Sequence, residues 1–117
     1  MAEDQFVVSA SGLKHYDLVV GSGAEAVKGK KITVHYAGWL TSGKMFDSSI
    51  AKKRPFSLTL GGGQVIKGWD EGIVGMRTGG HRQLVIPADL AYGPDGYANV
   101  IPPNATLIFE VYLDALE

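Results

Sequence analysis

The sequence predicts an α+β domain, an antiparallel and mostly β fold with a single short helix. Three observations carry this. Apolar and polar residues alternate along several short runs, the period of a half-buried strand. Turn chemistry separates those runs at short spacing, as hairpins require, whereas parallel βαβ units need repeated helices of roughly ten or more residues. Glycine is unusually frequent: 16 of 117 residues, about twice the usual ~7%. These glycines are scattered apart from one triplet, a pattern of tight turns rather than low complexity.

Leu13–Val20 is the first strand-like run. Lys31–Leu40 is the second, with Ile32, Val34, Tyr36, Gly38 and Leu40 on one face and His35 and Trp39 on the other. Phe56–Leu60 and His81–Ile86 are shorter. The last run alternates most cleanly, placing Leu107, Phe109, Val111 and Leu113 opposite Ile108, Glu110, Tyr112 and Asp114. Turns fall at Gly21-Ser22-Gly23, Thr41 to Lys44, Gly61-Gly62-Gly63 and Thr78-Gly79-Gly80. The one helical period comes from Val65, Ile66, Trp69 and Ile73, with Met76 continuing the face. Gly72 and Gly75 each cost that helix about 1 kcal/mol relative to Ala, so tertiary packing must hold it. Gly79 or Gly80 is its expected stop. Pro87 to Asn104 reads as a long loop with Tyr92, Tyr97, Val100 and Ile101 embedded, the kind of loop that often binds ligands.

The length suits one domain, residues 1–117, with residues 1–11 as a short N-terminal extension. A chain of this size hides roughly two-thirds of its unfolded surface, so neither a metal nor a disulfide staple is required. Hydrophobic residues at 45% against 20% charged exclude a disordered chain. Eleven basic and 12 acidic side chains leave a net charge of −1. Lys30-Lys31 and Lys52-Lys53-Arg54 are the densest basic spots, and neither makes a phosphate-tracking stripe, so no nucleic-acid partner is expected. The absence of cysteine removes thiol catalysis and zinc ribbons. Met1 to Ala10 carries Glu3 and Asp4 and lacks the basic and apolar regions of a signal peptide, and no apolar run is long enough to span a membrane. The expectation is a cytoplasmic monomer without a membrane partner.

The usual catalytic inventory is nearly empty. Gly23 to Lys30 has one residue too many for a phosphate loop, with Lys31 where Ser or Thr is needed. Gly61 to Ile66 places Ile66 where a dinucleotide fingerprint needs glycine. His15, His35 and His81 have no metal-ligand spacing, so no metal and no cofactor are expected. There is no nucleophile elbow. What remains is a set of apolar residues in odd places: Tyr36, Phe46, Phe56, Val65, Ile66, Trp69, Tyr92, Ile101 and Phe109. Several come from a loop, a strand start or a helix start, and Trp69 on a glycine-broken helix suits the floor of a cleft. Asp47, after Phe46, is either a polar group at an apolar wall or a turn-capping Asp before Ser48-Ser49.

At this point the chain resembles a known family. Val34-His35-Tyr36-Ala37-Gly38-Trp39-Leu40, Phe46-Asp47-Ser48-Ser49, Pro55-Phe56, Val65 to Gly72, Ala91-Tyr92-Gly93 and Ile101 to Val111 are similar to the FKBP family, the macrolide-binding peptidyl-prolyl cis/trans isomerases. They run in family order and spacing over roughly residues 12 to 116. The resemblance implies a strongly twisted antiparallel sheet wrapped around one short helix, with a pocket between them. It also implies Tyr36, Asp47, Trp69, Tyr92 and Phe109 as catalytic residues, and Phe46, Phe56, Val65, Ile66, Tyr97 and Ile101 as substrate- or ligand-binding residues. Trp69 would be the floor, and the Ile66 N–H and Tyr92 hydroxyl would hold ligand carbonyls. The implied partners are proline-containing peptides and unfolded proteins, with macrolide immunosuppressants as inhibitors.

The sequence departs from the best-known family pattern in three places. Lys52 or Arg54 stands where an arginine often supports the aspartate. Leu58 replaces a frequent aromatic beside the pocket, and Tyr97 occupies a variable loop tip. The competing reading is a non-catalytic adaptor holding proline or macrolide ligands. A folding chaperone of this family would carry a large insertion before Ile101, where only Gly93 to Val100 stands here.

Overall fold

The structure is a computed structural model, and it describes residues 7–9, 11–97 and 100–116. Among these the strands are β1 (Val7–Val8), β2 (Lys14–Val19), β3 (Lys31–Leu40), β4 (Met45–Ser48), β5 (Phe56–Thr59), β6 (His81–Ile86) and β7 (Leu107–Leu116). They form one antiparallel sheet in the order β1-β2-β6-β7-β3-β4, with β5 also on β3. β3 is the axis. One of its edges runs against β7 along nearly its whole length, from Ile32↔Leu116 to Leu40↔Leu107. Its other edge is shared end to end, by β5 from Lys31 to Val34 and by β4 from Ala37 to Trp39.

Alternation decides which faces meet. The predicted inner face of β7, Leu107, Phe109, Val111 and Leu113, is buried throughout, as are Ile32 and Val34 of β3 and Leu84 and Ile86 of β6. The one helix, α1 (Lys67–Gly72), lies against this face. It is shorter than its apolar period suggests. Val65 and Ile66 precede it, Ile66 being an extended N-cap at ψ 150°. Met76 lies beyond it. The stop falls at Gly72 rather than at Gly79 or Gly80, because Gly75 takes φ +94°, a left-handed backbone that a right-handed helix cannot contain.

The glycines inside α1 set its distance from the sheet. A Cβ on Gly72 would lie 2.8 Å from Leu84 Cδ2, and one on Gly68 would penetrate the Ile86 side chain. Arg82 of β6 then fastens the C-terminal end. Its buried guanidinium donates from Nη1 to the Gly72 and Val74 carbonyls at 2.9 and 3.1 Å. It also grips Asp17 of β2 through Nε at 2.6 Å and Nη2 at 3.2 Å. Four charge-assisted bonds satisfy an otherwise costly buried cation and the open carbonyls of the helix end.

Three features differ from the sequence reading. β1 is two residues long, too short to show a period. β4 (Met-Phe-Asp-Ser) has no apolar alternation and forms because β3 offers it an open edge beyond β5. Leu40 and Lys44 close that hairpin through an N–H to carbonyl bond of 2.8 Å. The long loop from Pro87 carries short elements that no sequence period marked, 3-10 turns at Ala88–Leu90 and Gly93–Asp95. A small bridge follows, in which Tyr97 and Ile101 exchange backbone bonds of 2.9 and 3.1 Å.

Gly72→Ala gains about 1 kcal/mol of helix propensity but overpacks the Leu84 contact at a cost of about 1–3 kcal/mol. Thermal unfolding should show a net loss of several degrees in Tm, and an unchanged or raised Tm would disprove the close-approach role.

Candidate active site

The open side of α1 and the inner face of β3 and β7 enclose a cleft of about 210 Å³. β3 contributes Tyr36, β4 Phe46 and Asp47, β5 Phe56, α1 Trp69 and β7 Phe109; Gln64, Val65 and Ile66 come from the approach to α1, and Tyr92 from the long loop. Trp69 is buried at the floor. Tyr36 meets its indole edge-on at 4.9 Å and 79°, and Phe109 does so at 5.3 Å and 83°. Phe46 stands on Phe109 at 5.4 Å and 88°. Such edge-to-face pairs contribute about 0.5–1.5 kcal/mol each beyond burial, so the walls brace one another. Gly38 makes room for them, since a Cβ there would lie 2.7 Å from both the Phe109 and Phe46 rings.

The sequence left Asp47 open between wall and turn; it stands on β4 at the cleft wall, and the Ser48 hydroxyl takes the turn's Ala51 N–H. Asp47 Oδ2 accepts the Tyr36 hydroxyl at 2.6 Å. Its Oδ1 accepts the Ser48 N–H at 2.9 Å and pairs with Lys52 Nζ at 2.8 Å. Lys52, not Arg54, is therefore the aspartate's cation. Burial is the largest influence on this carboxyl and pushes its pKa up. The Lys52 ammonium, the Tyr36 hydroxyl and the Ser48 N–H together outweigh it and hold the pKa below the usual value. Ser49 fastens this loop to β3: its Oγ accepts the Tyr36 N–H at 2.7 Å, and its own N–H reaches the Tyr36 carbonyl at 2.9 Å.

Two residues that line the cleft carry polar donors, Tyr92 and Ile66. Burial first, then the Tyr97 and Asp47 charges, push the half-buried Tyr92 phenol up, so it keeps its proton at neutral pH. Burial and the Asp47 bond do the same to Tyr36, more strongly. The Tyr92 hydroxyl bonds to no other described residue, and the Ile66 N–H, freed by its place at the helix N-cap, has no backbone acceptor. The Trp69 indole N–H is buried without a hydrogen-bond partner among the described residues, a cost of about 1–3 kcal/mol carried by the floor. No group of three metal-ligating side chains occurs among the described residues.

Nine of the eleven residues singled out from the sequence line the cleft. Ile101 and Tyr97 do not. Ile101 turns into the core and borders a separate groove with Leu40 and Pro103. Tyr97 stands outside, 59% exposed, its ring 5.3 Å from that of Tyr92. Leu58 is buried in the core, opposite Ile32, rather than at the cleft. Gln64 lines the cleft and was missed, since a lone glutamine after a glycine triplet carries no pattern.

Residues 10–114 match the family of FKBP-type peptidyl-prolyl cis-trans isomerases. The FK506-binding protein of Neisseria meningitidis serogroup B is 61% identical over 102 residues, covering 87% of this chain and 94% of that protein. The crystal structure of AtFKBP13 superposes with a TM-score of 0.90 at 46% identity, covering 96% of this chain and 98% of that one. FkpA from Escherichia coli gives 0.90 at 39% identity, covering 98% of this chain and 53% of the FkpA chain. The chain belongs to the FKBP family and is a peptidyl-prolyl cis/trans isomerase.

Because Lys52 helps to hold Asp47 ionised, Lys52→Met leaves burial less opposed and raises the Asp47 pKa. Charge at Asp47 is lost as pH falls through that pKa, so the acid limb of kcat/KM should move to higher pH in the variant. Wild type should hold its activity to a pH below the ordinary carboxylate range, because its Asp47 pKa lies below the usual value. A pH–rate profile with ¹³C NMR titration of Asp47 checks this, and superimposable acid limbs would sink it.

Proposed function

We propose that this cleft accelerates X–Pro rotation by fitting the twisted amide better than the planar one. Rotation faces an uncatalysed barrier of roughly 18–20 kcal/mol. Twisting breaks amide conjugation, which withdraws negative charge from the carbonyl oxygen, so the planar state is the more polar. Transfer from water into the ring-lined cleft therefore costs the planar state more than the twisted one, and that difference lowers the barrier. A reduction of about 5 kcal/mol gives several thousandfold.

The prolyl ring is assigned to the Trp69 floor between Tyr36 and Phe109. The Tyr92 hydroxyl and the Ile66 N–H are assigned to hold the substrate carbonyls while the bond turns. Asp47, anchored by Tyr36 and Lys52, acts on position and field rather than as an acid or base. The observation that carries this reading is the pair of free donors, Tyr92 O–H and Ile66 N–H, at the rim of a cleft walled by interlocked rings. Service to folding chains follows, since unaided X–Pro exchange takes tens of seconds.

Macrolides of the FK506 type are proposed to occupy the same cleft as inhibitors, a reading supported by the name and 61% identity of the neisserial relative. The protein is proposed to act as a monomer in the cytoplasm, on proline-containing peptides and unfolded chains. An apolar residue before proline is the proposed preference, because aromatic and aliphatic side chains outnumber polar ones around the cleft.

A protease-coupled assay on a Leu-Pro peptide tests the assignments. Asp47→Ala and Trp69→Leu should each lower kcat/KM tenfold or more, about 1.4 kcal/mol or above, with circular dichroism unchanged, and FK506 should abolish wild-type acceleration. Full activity in Asp47→Ala would remove that residue's role; FK506 binding without acceleration would favour the adaptor reading. In a peptide series varying the residue before proline, Leu should be turned over faster than Glu, and equal rates would refute the preference.

A further inference from the structure

The segment joining β5 to α1 carries three glycines directly after Leu60, the residues with the most backbone freedom to lose. It also delivers Gln64, Val65 and Ile66 to the cleft, the last with its N–H free of a backbone acceptor. Gly61 and Gly63 take φ of +80° and +74°, and both point their amides at one side chain. Asp70 Oδ1 accepts the Gly61 N–H at 2.8 Å, and Oδ2 accepts the Gly63 N–H at 3.0 Å. Gln64 ties the same turn back to β5, its Oε1 accepting the Thr59 N–H at 2.7 Å. Asp70 follows Trp69 directly on α1, so one helix turn carries the floor of the cleft and the anchor of its wall.

We propose that Asp70 is a positioning residue for catalysis: its carboxylate clamps the glycine turn and thereby sets where the Ile66 N–H and Val65 stand over Trp69. Asp70 does not line the cleft and touches no substrate; it acts through the turn. The inference rests on the assignment of the Ile66 N–H as a carbonyl donor. Both carboxylate oxygens are engaged, so the clamp fixes the orientation of the turn as well as its distance. Without it, three glycines can sample many backbone states, and a donor displaced by about an ångström can cost up to two orders of magnitude in rate.

The test uses Asp70→Ala, Asp70→Asn and Asp70→Glu beside wild type, at a temperature where circular dichroism shows all four folded. Steady-state kcat and KM on a Leu-Pro peptide are read with ¹H–¹⁵N NMR of Gly61, Gly63 and Ile66, with and without that peptide. Asp70→Ala should lose about tenfold in kcat/KM, with the Gly61 and Gly63 amide signals moving upfield and exchanging faster. Asp70→Asn, which keeps one acceptor oxygen, should fall between it and wild type, and Asp70→Glu should recover part of the loss. A staple serving stability alone would lower Tm and leave kcat/KM of the folded variants within twofold of wild type; that result overturns the proposal. A wild-type Ile66 amide that does not respond to the peptide would instead remove the donor assignment, and the positioning role with it.

Discussion

Everything at the site hangs on how closely α1 approaches the sheet. Gly68 and Gly72 present bare backbone to Ile86 and Leu84, which lets a six-residue helix sit deep enough for the Trp69 ring to touch Tyr36 and Phe109. A helix this short is unstable in water by itself, and two glycines weaken it further. Tertiary contacts hold it: Arg82 closes its C-terminal carbonyls from β6 while gripping Asp17 of β2. The same residues that are poor helix formers are the ones that bring the floor of the cleft to its walls.

The polar parts of the site follow a similar division. The cleft is built from rings that interlock edge to face, and apart from the Trp69 indole N–H at the floor its hydrogen-bonding groups belong to Tyr36, Asp47, Gln64, Ile66 and Tyr92. Asp47 is fully engaged by Tyr36, Ser48 and Lys52, so it acts as a fixed charge with a defined direction. The Tyr92 hydroxyl and the Ile66 N–H stay free of such partners. The ring-lined walls favour the twisted amide over the more polar planar one, while prearranged donors hold the substrate carbonyls in place without reorganising as the bond turns.

Strands with a strict period were legible in the residues themselves. His81–Ile86 and the long strands Lys31–Leu40 and Leu107–Leu116 appear where alternation places them, because one face of each is buried and a one-residue slip would reverse every side chain. β4 was not legible, since Met45–Ser48 has no alternation and pairs only because β3 leaves an edge open. The helix was legible by its period and overextended at both ends. Val65 and Ile66 share the apolar spacing but precede an extended cap, and Met76 lies past Gly75, whose positive φ is a backbone fact with no apolar signature.

The sequence alone determined the fold class, the ring-rich composition of the cleft and, through motifs running in family order, the family. The first two follow from period, turn chemistry and residue type, which are local; the family follows from the resemblance that those motifs carry together. Only the tertiary structure decided that Lys52 rather than Arg54 meets Asp47, that Gln64 lines the cleft, that Ile101 turns into the core, and that Asp70 reaches back to Gly61 and Gly63. Each of these depends on the direction of one side chain across a turn, where neighbours along the chain differ by a few ångströms and nothing in their spacing favours one over the next.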